Sequence, residues 1–465
     1  MASANNIPRI VIGATGSGVG KTTVTVGLIA ALRARGLKVA GFKCGPDYLD
    51  PTYHERVLGK PSQNLDGWMM GREAVLATFA RASADADVAV VEGMMGVFDS
   101  ATPTGEEGST AEIAKWLAAP VLVVADASGI ARTIGAIAAG FARFDPALRV
   151  AGLICNRVGG RGHLDLLRDA HPEVPIVGGF PGRPELAFPE RHLGLRSADR
   201  DAVPERLFEA WGRLAAEWLD LESILAIAGA APPVAFDEQG SDDAPKRSRA
   251  RPMRCRIGVA YDDAFHFYYE DNLRRLETLG AELVKFAPSR DSKLPDVDGL
   301  YFGGGYPEAV ARELSSNAAM LAAIRDFAAR GAPIYAECGG LMYLSDGIRT
   351  LDGKMWPMAG LVPGVAAMSD RLQALGYVEI ETSTDTILGP AGLRFRGHQF
   401  RYSILEPSGV EVEHAYNVTP RWGGAAFTEG YRVNTLLATY VHAHWASNPE
   451  AAENFVRSCQ NSRAR

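Results

Sequence analysis

Residues 14–23, Ala-Thr-Gly-Ser-Gly-Val-Gly-Lys-Thr-Thr, constrain this chain more than any other stretch. They follow an apolar run over 10–12. They precede a helical pattern over 22–35, in which Val26, Ile29, Ala30 and Leu32 recur at helical spacing before Gly36. A strand that ends in a glycine bend and opens a helix makes a phosphate cradle. Small residues let backbone N–H groups face the oxygens, and the helix N-terminus adds partial positive charge. Gly16, Gly18 and Gly20 would form the bend of an ATP site that continues through Lys21, Thr22 and Thr23. Lys21 would reach the β- and γ-phosphates, and the Thr22 hydroxyl would ligate Mg²⁺. The strict spacing has glycine where this chain has Thr15, so the motif is a variant, and a plain glycine turn capping a helix is the competing reading.

A chain of 465 residues exceeds what one hydrophobic core serves, so two or three domains are expected. Its hydrophobic and charged fractions, 47% and 22%, are those of a soluble globular protein. The net charge of −7 lacks the basic footprint of a nucleic-acid binder. Five scattered cysteines (Cys44, Cys155, Cys255, Cys338, Cys459) suit the reducing cytosol rather than a disulfide framework. Residues 1–8 are polar, without a signal-peptide apolar region, and apolar runs such as 120–125 are too short for a bilayer. The expectation is a cytoplasmic chain with no nucleic-acid and no membrane partner.

A strand over 37–42 delivers Lys43-Cys44-Gly45-Pro46-Asp47-Tyr48-Leu49-Asp50-Pro51 to its C-terminal end, the ligand edge of a parallel sheet. Asp47 and Asp50 are placed there for Mg²⁺ or substrate, with turn chemistry beside proline as the alternative. A strand over 87–91 ends in Glu92, the place for a Walker-B-like carboxylate, with Asp47 as the second carboxylate and Asp99 free to orient substrate. Helices at 110–117, 130–144 and 164–170 alternate with strands at 121–125, 150–156 and 174–178, and one helical pattern covers 203–227. This alternation predicts a mostly parallel sheet covered on both faces. Asn156, just past its strand, stands where a nucleotide base could be read, although asparagine there is also a turn residue. The expected domains are 1–229 and 255–465, joined by a polar, proline-containing linker over 230–254.

The second half opens with strands at 255–260, 282–286 and 297–302 and a helix at 268–279. Gly303-Gly304-Gly305 at a strand's end provides backbone N–H groups for an oxyanion hole, and a helix is expected over 309–330. A strand over 333–336 runs into Glu337-Cys338-Gly339-Gly340, the elbow arrangement of a nucleophile on a tight strand-to-helix bend. The helix N-terminus favours the Cys338 thiolate, and Gly304, Gly305 and Gly339 are the oxyanion candidates. Near the C-terminus, His442 and His444 sit at i and i+2 of a strand and share a face. His442 would take the thiol proton and His444 would support it, metal ligation being the alternative. His398, flanked by glycine and arginines, is expected to be exposed and to touch ligand, and His414 to lie in a polar strand.

Over nearly its whole length the chain resembles the cobyrinic acid a,c-diamide synthase family, some members of which act on hydrogenobyrinic acid. The likeness is carried by residues 16–23, 43–51, 92–99, 303–308, 336–341, 396–400 and 440–449. The first half is similar to dethiobiotin synthetase and the second to class I glutamine amidotransferases. The resemblance implies an α/β fold: a P-loop parallel-sheet domain followed by an amidotransferase-like α/β domain. It implies that Cys338 attacks glutamine, with His442 as base, and releases ammonia. It further implies that ATP and Mg²⁺ activate corrinoid side-chain carboxylates as acyl phosphates, which ammonia converts to amides at c and then a. Thr22, Asp47 and Glu92 map to the metal and phosphate region. Asp47, Tyr48, Leu49, Asp50 and Asp99 map to segments that meet the corrinoid. Class I amidotransferases carry His-x-Glu where this chain has His442-Ala443-His444, so the third member of the site is either His444 or missing. Competing readings are cobyric acid synthase, a nickel-sirohydrochlorin diamidating enzyme, and a partition-type ATPase switch. The last is disfavoured by Gly16, which stands where such switches carry a signature lysine. The assembly is left open, a homodimer being compatible with it.

Overall fold

The computed structural model describes residues 3–100, 104–186, 188, 190–191, 194–195, 203–236 and 255–463. The chain divides into two compact units, Met1–Ala244 and Pro245–Arg465. Among the described residues no helix is long and apolar enough to cross a membrane.

The first unit is built on a seven-stranded sheet. Its strands are β1 (Arg9–Ala14), β2 (Val39–Cys44), β3 (Gln63–Leu65), β4 (Val88–Glu92), β5 (Val121–Asp126), β6 (Val150–Val158) and β7 (Ile176–Pro181). They lie in the order β3-β2-β4-β1-β5-β6-β7, and every pairing is parallel. β1, β2 and β4 are buried at every position, as expected of strands covered on both faces. The two acidic strand ends and the glycine loop therefore meet at one edge, because β1 lies between β4 and β5 and its own C-terminal end opens helix α1 (Lys21–Ala34). The single helix expected over 203–227 is two, Glu205–Trp218 and Leu221–Gly229, since the Asp220 side chain accepts from Ser223 N and caps a new start.

Residues 230–236 belong to this unit rather than to a linker. Val234–Phe236 pairs antiparallel with Ser3–Asn5, and the buried Arg9 guanidinium donates to the carbonyls of Leu117 and Pro232. The remainder of the expected linker, 237–254 with its basic cluster from Lys246 to Arg254, lies outside the described residues.

The second unit holds a ten-stranded mixed sheet. Its strands are β8 (Cys255–Ala260), β9 (Ala281–Phe286), β10 (Gly299–Phe302), β11 (Ile334–Glu337), β12 (Ala374–Thr382), β13 (Arg394–Arg401), β14 (Glu413–Pro420), β15 (Phe427–Val433), β16 (Leu436–Thr439) and β17 (His442–His444). The order is β9-β8-β10-β11-β16-β15-β14-β12-β13-β17. The first five are parallel and the rest antiparallel. β16 is central and β17 is at the far edge, yet only Tyr440 and Val441 separate them, so the antiparallel half curls back toward the parallel half. A smaller four-stranded sheet uses Ser345–Arg349, Met355–Pro357, Val362–Met368 and Ser403–Glu406. The helix expected over 309–330 is broken into Ala311–Ser316 and Ala318–Ala329 by Asn317, whose side chain accepts from Met320 N.

Candidate active sites

In the first unit the glycine bend has the backbone its residues allow. Gly18 and Gly20 adopt φ of 75° and 90°, and a Cβ on Gly20 would lie 2.1 Å from Asn156 Nδ2. Gly16 sits in the same bend, and Lys21, Thr22 and Thr23 form the first turn of α1. Lys21 Nζ donates to Met95 O at 2.9 Å. Thr22 Oγ1 donates to Glu92 Oε1 at 2.8 Å and lies 3.3 Å from Asp50 Oδ1. Between those two carboxylates sits Lys43, a residue the sequence did not single out. Its Nζ is 2.5 Å from Asp50 Oδ2, 3.2 Å from Glu92 Oε1 and 3.0 Å from Gly93 O. His54, also unforeseen, is fully buried with Nε2 at 2.7 Å from Glu92 Oε2 and Nδ1 at 3.0 Å from Ser62 Oγ.

The electrostatics follow from burial and these pairs. Burial works to neutralise Glu92, but Lys43 and His54 outweigh it and hold the carboxyl well below its ordinary range. Burial and then the neighbouring acids Asp47 and Glu92 push Asp50 up. Lys21 is lowered by burial and by Lys43. Lys43 is raised because Asp50 and Glu92 overcome its burial. The hydroxyl of Thr22 and the carboxylates of Asp50 and Glu92 form a hard-oxygen donor set that suits Mg²⁺. Among the described residues no group of three or more His, Cys, Asp or Glu side chains could hold a metal by itself.

Asp50, not Asp47, stands with Thr22 and Glu92. Asp47 Oδ1 instead accepts from Leu49 N and Asp50 N, satisfying free amides at the start of helix α2 (Leu49–Leu58). The turn chemistry held open for that acid is what the structure shows. Asn156 Nδ2 donates to Val19 O and its Oδ1 accepts from Arg157 N, so it braces the phosphate loop. Asp99 is exposed but accepts from Gly96 N and so closes its own loop. Tyr48 and Leu49, half-buried, border the same acidic edge. Asn64, unforeseen, donates to Gly45 O and Asp47 O and fixes the 43–51 segment.

In the second unit β11 ends at Glu337 and Cys338 turns the chain into the helix Gly339–Leu344 with φ 46° and ψ −101°. A non-glycine residue there is strained, and strain of this kind is held only by surrounding structure. Thr439 O at the end of β16 accepts from Cys338 N at 2.7 Å, so the elbow is pinned by the neighbouring parallel strand. His442 is within hydrogen-bonding reach of the Cys338 thiol. Burial alone would lower its pKa, but Cys338 and Glu337 outweigh burial and raise it to about 9. Its ring lies against Gly304, where a Cβ would come within 2.4 Å of Cε1.

That close approach reassigns the oxyanion candidates. Gly304 N is committed to Phe267 O, and Gly304 itself is a seat for the imidazole. Gly305 N lies 3.1 Å from where a Gly339 Cβ would be, so these two glycines are close neighbours, and Gly339 directly follows Cys338.

His444 does not support His442. Its ring packs on Tyr269 at 4.8 Å, its Nδ1 accepts from Ala446 N, and burial lowers its pKa to about 4. The carboxylate facing His442 belongs to Glu337, whose Oε2 is 3.8 Å from His442 Nδ1. The sequence signal was present, an acid one residue before the nucleophile, but only the sheet register shows where it points. His398 is half-buried rather than exposed. It pairs with His442 across β13 and β17, its ring is 5.5 Å from that of Tyr377, and burial and then His442 lower its pKa to about 3. It thus lies beside the thiol site. His414 is on a strand and exposed, with Nδ1 3.0 Å from Thr428 Oγ1. Another unforeseen residue, buried Glu429, accepts from Thr439 Oγ1 and Tyr440 N and holds the end of β16; burial raises its pKa to about 7.

Comparison with known proteins accords with this two-site layout. Residues 10–194 match the model of the CobQ/CobB/MinD/ParA nucleotide binding domain, and residues 256–450 match that of the CobB/CobQ-like glutamine amidotransferase domain. A cobyrinate a,c-diamide synthase of Leptospira interrogans is 55% identical over 97% of this chain and 98% of its own. The proteins of that name from Syntrophotalea carbinolica and Methanothermobacter thermautotrophicus are 47% and 39% identical, each over 97% of this chain and 99% of their own. With that extent of identity behind both sites, the chain belongs to the cobyrinate a,c-diamide synthase family.

Proposed function

We propose that this protein uses glutamine and ATP to amidate the a and c side-chain carboxylates of cobyrinic or hydrogenobyrinic acid. The observation that carries the reading is that one chain, similar end to end to relatives of that name, holds both a phosphate loop beside buried acids and a Cys–His elbow. Its five free, buried cysteines suit work in the cytoplasm.

At the elbow, Cys338 Sγ attacks the glutamine side-chain carbonyl as its proton passes to His442. The amides of Gly305 and Gly339 would hold the oxyanion, which needs donors at the position it will occupy. Collapse of the tetrahedral adduct breaks the C–N bond, His442 returns the proton to the departing nitrogen, and ammonia leaves a γ-glutamyl thioester that water hydrolyses. At the loop, a corrinoid carboxylate attacks the γ-phosphorus of ATP and ADP departs, giving an acyl phosphate that ammonia converts to the amide with loss of phosphate. The activation is needed because a carboxylate resists nucleophiles and an acyl phosphate does not. Loop amides and Lys21 hold the phosphates, and Thr22, Asp50 and Glu92 are the residues that would hold Mg²⁺, which offsets phosphate charge when bound. Lys43 and His54 keep the two acids oriented.

Two experiments bear on this. Incubation of cobyrinic or hydrogenobyrinic acid with ATP and amide-¹⁵N glutamine is expected to give a product carrying two ¹⁵N amides by mass spectrometry. Absence of amidation, or incorporation of four amides, rejects the reading. Gly304→Ala places a methyl 2.4 Å from His442 Cε1 and displaces the base. Glutamine-dependent turnover is expected to fall on the order of 10²-fold, as for other misplacements of a catalytic group by about 1 Å. Turnover with ammonium salts stays unchanged.

A further inference from the structure

The family resemblance leaves the thiol site without the acid two residues beyond the base, and His444 faces another environment. We propose that Glu337 is the positioning carboxylate of the glutaminase, fixing the His442 ring for proton exchange with Cys338. This rests on the glutaminase reading above and adds the missing third group.

The argument starts from alternation along β11. Tyr335 and Glu337 are two apart and share one face, away from Ala336. Tyr301, from neighbouring β10, is in register with Tyr335. Glu337 therefore enters a pocket lined by two phenols. Tyr335 Oη donates to Oε1 at 2.8 Å, Tyr301 Oη donates to Oε2 at 3.2 Å, and Ala443 N donates to Oε1 at 3.1 Å. Burial and then Glu337 raise both phenols far above their ordinary pKa, so they remain donors throughout the working pH range. An acid only 1% exposed is costly unless paired. Three donors hold this one in place, and its Oε2 is left facing His442 Nδ1 at 3.8 Å.

With Nδ1 facing the acid, Nε2 is the ring nitrogen left for proton exchange with Cys338. It is the logic of a base aligned by an acid that stabilises the imidazolium formed as the thiol gives up its proton. The separation exceeds an ordinary hydrogen bond, and such contacts tighten when substrate arrives. The Ala443 amide ties the two partners further: the residue after the base donates to the carboxylate that aligns it. Because Glu337 precedes Cys338 directly, nucleophile and aligning acid are carried by one strand end and cannot drift apart. His398 faces His442 from β13 and joins Cys338 and Glu337 among the titratable groups around the imidazole.

The test uses the full-length protein with Glu337→Gln and Glu337→Asp. Readouts are glutamine-dependent and ammonium-dependent product, KM for glutamine, and the pH profile of Cys338 alkylation by iodoacetamide, with Cys338→Ser as blank. Glu337→Gln is expected to lower glutamine-dependent kcat by roughly 10²-fold or more, with KM nearly unchanged and ammonium-dependent product retained. The alkylation step governed by His442 moves to lower pH, because the acid that favoured the imidazolium is gone. Glu337→Asp, which keeps the charge, retains more glutamine turnover than Glu337→Gln. Wild-type glutamine turnover and an unmoved alkylation profile in Glu337→Gln overturn the proposal, as does equal loss in both variants and by both nitrogen sources. Should Glu337→Gln not accumulate as folded protein, Tyr301→Phe combined with Tyr335→Phe, which frees the acid from both phenols, decides: glutamine-dependent kcat is expected to fall while ammonium-dependent product is retained, and an unchanged kcat overturns the proposal. Failure of the unmodified enzyme to amidate with either nitrogen source counts against the glutaminase-and-ligase reading itself, a separate result.

Discussion

Cys338→Ala abolishes glutamine-dependent amidation and leaves ammonium-dependent amidation near the level of the unmodified enzyme. The thiolate forms the only covalent bond the enzyme makes to glutamine in this scheme, so its loss is expected to cost roughly 10⁴-fold or more, as for removal of other nucleophiles. Alanine keeps the Cβ and asks nothing new of a backbone at φ 46°, which remains pinned by Thr439 O. His442 loses its partner but keeps Glu337 and the seat at Gly304. Product formation is measured with glutamine and separately with an ammonium salt. Loss of both rejects the assignment of distinct chemistry to the two units.

Lys21→Ala removes product formation from either nitrogen source. Its ammonium is the one cation of the loop's first helical turn, donating to Met95 O and flanked by Asp50, Glu92 and Lys43. Phosphoryl transfer consists largely of holding and neutralising the moving group, and removal of a preorganised donor from such a site costs on the order of 10²–10³-fold. Folding is expected to change little, because Lys43 continues to pair both acids. Glutamine hydrolysis, measured as glutamate release, persists in this variant. Retained ammonium-dependent product overturns the phosphate role of Lys21.

The two sites differed in how far their sequences revealed them. Gly20-Lys21-Thr22 and Glu337-Cys338-Gly339 are legible because each is a local turn whose chemistry and backbone are set by neighbours in the chain. Asp50 was confused with Asp47 because both lie in one short turn, and the distinction depends on which one meets a free amide once α2 forms. Lys43, His54 and Glu337 act through contacts between strands or across a helix, and no periodicity marks such partners. Asn317 and Asp220 read as interior positions of long helices, although each is a residue type that caps. Of the antiparallel strands between Ala374 and Val433 the sequence marks only the polar one around His414, because half-exposed strands carry weaker patterns than the buried runs of a parallel sheet.

The return of β17 to the elbow also bears on how the protein reaches its native state. The His442 imidazole meets the Cys338 thiol across an intervening stretch of roughly a hundred residues, and contacts of such sequence separation form slowly. The reactivity of Cys338, read apart from the four other cysteines by peptide mapping, should therefore rise after the parallel strands have consolidated, making its alkylation a clock for completion of the second unit. Substitutions in the intervening hairpins, remote from any ligand, would then delay that clock without altering the chemistry it reports.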